Sequence, residues 1–207
     1  MKYKNHILLL IIFLTWNIAQ AQDKINSKFS LSALGGIGYA IIENDNEPNY
    51  NLNSNNGELL INYHVDEKLG FATGIGLNEL SGNGFNSIGS FYHERTFLKI
   101  PLLVTFTNKL SDNFTLIATL GLYGQNIIKD EYRFLNNYRT NIYEGWNFGL
   151  QASAGLIFNV SNSLGLGFAF SGQSDFSKFE SNNNAGINDE QKIKNLNSIG
   201  MILQLKI

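Results

Sequence analysis

The 207-residue chain contains no cysteine, 2 prolines and 3 histidines, and only 15% of its residues are charged. Without cysteine it can hold no disulfide, thiolate metal site, cysteine nucleophile or lipidated cysteine anchor. Soluble domains carry about 25% charge, so this composition is poor in the groups that hold a surface in water. The 15 Lys+Arg stand against 17 Asp+Glu, and that balance supplies no basic face for nucleic acid. No H-x-x-x-H spacing occurs, so neither a metal nor another cofactor is expected.

Long apolar runs are also missing. The single candidate, Ile7 to Leu14, is well short of the roughly 20 residues that a helix needs to cross a bilayer. Lys2 and Lys4 precede it and Ala19-Gln20-Ala21 follows, which is the layout of a secretory signal peptide cleaved after Ala21. The expected organisation is therefore a signal peptide over 1–21 and one exported domain over 22–207.

What the exported part does contain is 20 Gly, 15 Phe and 9 Tyr arranged with a period of two. Phe29, Leu31, Ala33, Ile37, Tyr39 and Ile41 alternate with Ser30, Ser32, Gly36, Gly38 and Ala40. Seven further stretches repeat the scheme, over 58–65, 69–80, 96–106, 114–125, 143–160, 164–171 and 198–207. One face of each strand is bulky and apolar, and the other is small or polar. Glycine and serine cannot fill a soluble core, so the bulky face is the one that meets lipid. The connections alternate between short, at Asp66-Glu67-Lys68, Ser111 and Asn162, and long, around Asn46, Asn83, Arg133 and Asn183. This rhythm predicts an all-β fold, an eight-stranded antiparallel up-and-down transmembrane β-barrel in the bacterial outer membrane. Closure is required because an open sheet edge in hydrocarbon leaves unpaired amides. An even strand count puts both termini on the short-turn side, the periplasm.

Aromatic residues fall near both strand ends, as interface belts do. Tyr39, Tyr143, Trp146 and Phe170 lie near the outer ends, and Tyr63, Phe71, Phe106, Phe114 and Phe158 near the inner ends. On the small-residue face the lumenal polar residues are Asn62, His64, Gln151, Gln204 and Lys206. Glu58 and Lys99 share that face, and the strand between them turns only Gly74 and Gly76 inward, so the two long side chains are expected to form a lumenal ion pair. Pro101 lacks a ladder donor and predicts a bulge or a broken pairing. His93, beside Glu94, is expected in a solvated polar loop.

The segment Phe97-Leu98-Lys99-Ile100-Pro101-Leu102-Leu103, the strand end Thr119-Leu120-Gly121-Leu122-Tyr123-Gly124 and the leader ending Ala19-Gln20-Ala21-Gln22 resemble the PorT-like family of outer-membrane β-barrel domains. That resemblance implies an eight-stranded outer-membrane barrel, with one member class linked to protein secretion across the membrane and no catalytic residues to carry over. Lys99 departs from a position where an acid is common, and Ile207 from the usual terminal Phe. The functional expectation is a non-enzymatic, monomeric barrel with a side-chain-filled lumen and long extracellular loops. Its partners would be outer-membrane lipids and, through the loops, envelope or secretion-system proteins. A narrow pore and a lipid-modifying enzyme are the alternatives.

Overall fold

The computed structural model describes residues 28–182 and 189–207. The expected signal peptide and the Asn183-Asn184 part of the last loop lie outside these residues. Eight long strands run β1 (Phe29–Asn44), β2 (Tyr50–His64), β3 (Leu69–Asn86), β4 (Gly89–Lys109), β5 (Phe114–Phe134), β7 (Trp146–Asn159), β8 (Leu164–Asp175) and β10 (Glu190–Lys206). Two short strands, β6 (Tyr138–Thr140) and β9 (Phe179–Glu180), pair with β5 and β10. Each long strand is antiparallel to its neighbours, and β1 pairs with β10 from Ser30↔Lys206 to Asn44↔Gln191, which closes the ring. No sheet edge is left along the barrel wall, as the backbone in lipid requires.

The outer wall carries a continuous apolar belt. On β4 its members are Phe106, Val104, Leu102, Ile100 and Leu98, nine residues from end to end, which matches the roughly 9–11 residues of a tilted transmembrane strand. Leu102 is 62% exposed and Phe170 68%, values that suit a surface wetted by hydrocarbon rather than water. Eight of the nine expected belt aromatics point outward. Tyr143 does not: it is 3% exposed and packs inside the barrel mouth with Phe91, Tyr132 and Phe179. A buried backbone amide and a nearby carboxylate draw it in, as described below.

The strands continue well past the belt. Three of the expected long connections are therefore largely strand: 81–95 lies in the β3–β4 hairpin, 126–134 in β5, and 50–57 in β2. In these extensions the alternation persists with its sense reversed. Tyr50, Leu52, Phe91, Phe97 and Tyr132 point inward and are buried or half-buried, whereas Asn51, Asn53, Asn55, Glu94 and Glu131 point outward. The reversal follows from the solvent: where water replaces lipid outside, the apolar residues move to the inside. The extensions thus enclose a second core made of Ala40, Ile42, Leu52, Leu80, Phe91, Phe97, Ile142, Ile193 and Leu196 with the aromatic residues above. A water-facing tower stands on a lipid-facing barrel.

Local irregularities mark the joints. An extra residue enters β5 opposite Thr96/Phe97 and β10 opposite Ile41/Ile42, both near the upper margin of the belt; such bulges increase local twist. Pro101 sits where pairing between β3 and β4 lapses, between Thr73↔Leu102 and Gly76↔Lys99, without a change of register. The Thr73 hydroxyl donates to the Pro101 carbonyl at 2.8 Å. At Gly74 a side chain would lie 1.9 Å from the Leu59 carbonyl oxygen, so only glycine permits the strands to approach this closely.

Candidate functional site

The lumen is filled in layers. At mid-height Lys99 and Glu58 form an ion pair, reaching across Gly76 of the intervening strand. A Cβ at Gly76 would stand 3.1 Å from Glu58 Cγ and 3.2 Å from Lys99 Cε. Gln151, from the opposite wall, completes the layer: Lys99 Nζ donates to its Oε1 at 2.9 Å, and its Nε2 donates to both Glu58 oxygens at 3.1 Å. The Tyr123 ring lies 5.5 Å from the ammonium. Buried charges persist when paired and hydrogen-bonded in this way.

On the short-turn side of that layer Leu34 joins two apolar clusters, Leu60, Ala72 and Leu103 with Ile117, Ile157, Ala169 and Ile202. Together they form a septum across the bore. Beyond it the lumen is polar again. Asn62 Nδ2 donates to the Ser30 carbonyl at 3.2 Å and to Ser32 Oγ at 3.0 Å, and Ser30 Oγ lies 2.9 Å from His64 Nε2. His64, Gln204 and Lys206 line a cavity of about 410 Å³ at this end.

Above the ion pair, on the tower side, lies a cluster that sequence reasoning missed. His93 is no loop residue; it is fully buried on the inner face of β4, with Arg95 two positions on. Arg95 Nε donates to Asp130 Oδ1 at 2.7 Å, His93 Nε2 lies 2.9 Å from the same oxygen, and the Tyr143 backbone N–H donates to Oδ2 at 3.0 Å. His93 Nδ1 lies 2.9 Å from the Tyr50 hydroxyl, which is 3.1 Å from that of Tyr132. The Arg95 guanidinium also donates to Gln191 Oε1 and lies 5.1 Å from the Tyr143 ring. Tyr143 OH donates to Asp189 Oδ2 at 3.3 Å, the second contact that draws this residue inward.

These groups belong to the tower, since the outward neighbours Glu94, Thr96 and Glu131 are polar. Burial and the adjacent Arg95 charge lower the His93 pKa to about 4, against the pull of Asp130. The imidazole is therefore neutral near pH 7, with its proton assigned to Nε2, facing the carboxylate. Burial would raise the Asp130 pKa, but Arg95 and the His93 contact outweigh it and hold the carboxyl below its usual range. Burial pushes the Tyr50 hydroxyl up to about 12. The one sequence signal available was the alternation Phe91, His93, Arg95, Phe97, which reads as an inner face only once the reversal of sense is recognised.

No protein-family model matches the chain, and no curated protein matches it. Solved structures do. Neisserial surface protein A aligns at 12% identity over 87% of this chain and 98% of its own, with a TM-score of 0.53. The outer membrane protein OprG from Pseudomonas aeruginosa is similar at 12% identity, over 87% and 98% of the two chains, with a TM-score of 0.51. A major outer membrane protein from Thermus thermophilus aligns at 11% identity over 86% and 99%, also with a TM-score of 0.51. At these identities the shared property is the fold: this chain is an eight-stranded antiparallel barrel of the kind found in outer-membrane proteins.

Proposed function

We propose that the chain is an integral outer-membrane barrel with a closed lumen and no enzymatic activity, a PorT-like domain whose tower holds hairpin tips for contacts with other envelope or secretion components. The observation that carries this reading is the sealed bore. The Glu58–Gln151–Lys99 layer lies between an apolar septum and the tower core, and an eight-stranded barrel has an interior that side chains just fill. The belt supports membrane insertion, and the rule of short periplasmic turns favours an orientation with both termini in the periplasm and the tower outside. The Ser30–His64 contact gives no hydrolase dyad with access to substrate, since Ser30 is fully buried.

Planar-bilayer recording tests the closed lumen. The protein is expected to insert without discrete current steps, and sustained openings would favour a pore. Site-specific crosslinking in cells from Ser87 and Leu135, at the tips of the β3–β4 and β5–β6 hairpins, tests the role of the tower. The expected product is a defined adduct with an envelope protein.

A further inference from the structure

The cavity at the short-turn end has a lining that the closed-lumen reading leaves unused. Its inner-face positions bring together Lys28 of the chain entering β1, His64 of β2, Lys109 of β4 and Lys206 of β10, with Thr115 and Gln204 between them. Lys99, Lys129, Lys178, Lys192 and Lys194 each meet a carboxylate. Lys28, Lys109 and Lys206 meet none among the described residues. Two acids, Asp66 and Glu67, line the same cavity and offset part of this charge, but three lysines outnumber them. Asp66 is engaged by the backbone N–H groups of Lys68 and Leu69 at 2.7 and 2.8 Å, and Glu67 stands on the exposed turn.

Three cations and a histidine therefore converge on a volume of about 410 Å³, within the range of small-molecule sites. The septum of Leu34, Leu103, Ile117 and Ile202 closes it from above. Low-dielectric walls around like charges concentrate the field in the space between them. Lysine rings serve anion and phosphate selection in pores. With a closed bore above it, this ring can hold an anion but not pass it.

We infer that the short-turn end is a blind binding site for a compact multivalent anion bearing carboxylate or phosphate groups, taken up from the compartment that this end faces. The proposed orientation makes that compartment the periplasm, though the binding itself does not depend on orientation.

The test is calorimetric titration of the folded barrel, in zwitterionic detergent at low salt, with citrate and with inorganic pyrophosphate. Saturable binding of one or both is expected, with citrate alone indicating a carboxylate source and pyrophosphate alone a phosphate source. Affinity should fall about tenfold or more in a Lys109→Gln/Lys206→Gln variant, as loss of two facing charges implies. A Lys129→Gln variant, altered on the tower exterior, should bind like the unmodified protein. Each variant is checked for the gel shift of a heat-sensitive folded barrel, so misfolding is not mistaken for lost binding. Absence of saturation by either anion at millimolar concentration, equal affinity in the double variant, or binding confined to a polyglutamate peptide would overturn the proposal.

Discussion

The Lys99 ammonium and the Glu58 carboxylate meet in the space left by the missing side chain of Gly76. Three adjacent strands therefore build one contact: two supply charge and the middle one supplies room. Neutralising one partner strands the other in the bore, which costs about 3–5 kcal/mol for buried pairs. Glu58→Gln and Lys99→Met should each destabilise the barrel by about that amount, and the double variant by less than their sum. Urea unfolding in lipid vesicles, followed by Trp146 fluorescence, measures the cycle. Additive losses would sink the idea of a coupled pair.

Gly74 presents a harder constraint, because its neighbour is backbone rather than a flexible side chain. A methyl group 1.9 Å from the Leu59 oxygen cannot be relieved by a rotamer change. Gly74→Ala should prevent the β2–β3 ladder from closing, seen as loss of the heat-sensitive gel shift. Gly57→Ala, whose added carbon finds its nearest neighbour at 3.8 Å, should retain the shift.

The tower has its own dependence on pH. The folded-state pKa of His93, about 4, lies below the ordinary value of 6.5, so the unfolded chain binds more protons between those limits. Tower stability is therefore complete above about pH 6.5 and falls as pH drops toward 4. Asp130, also held below its usual range, adds a loss at still lower pH. Protection factors at the amides of Tyr132 and Arg95, taken relative to intrinsic exchange at each pH, should fall over pH 6.5 to 4, and His93→Phe should flatten that dependence. A flat profile in the unmodified protein would refute the assignment of a neutral buried imidazole.

The reversal of sense along β4 gives a paired test. Leu102→Arg, in the middle of the belt, should cost about 2–4 kcal/mol, and Ser90→Arg, above it on the same strand and opposite Phe85, close to nothing. Equal costs in vesicle unfolding would mean that the belt does not lie in lipid.

Much of the barrel was legible in the alternation of residues. The strand at Trp146 to Phe158 and the closing strand at Ile199 to Leu205 both keep strict period two with lipid outside, so their inner and outer faces follow from order alone. Glu58, Lys99 and the glycines between them could be placed for the same reason, and the structure brings the two side chains together. The upper extensions read as loops in the sequence because the same period two continues there with asparagine and glutamate outside. A template that expects apolar residues outside finds no match in Tyr50, Leu52, His93 or Arg95. Sequence order alone puts Tyr143 on the belt, whereas its position depends on Asp130 and Asp189, 13 and 46 residues away, and no local pattern encodes that.

Because the strands change their outward chemistry within one or two residues, the protein has only one comfortable depth in a bilayer. Sinking by a single inward-outward pair, about 6–7 Å along a strand, would drag Glu79 and Lys129 into hydrocarbon. Rising by the same step would lift Phe71, Phe106 and Phe114 out of the opposite interface. The sequence thus draws its own waterline, and any partner approaching from the tower side meets the hairpin tips at a fixed height above the lipid.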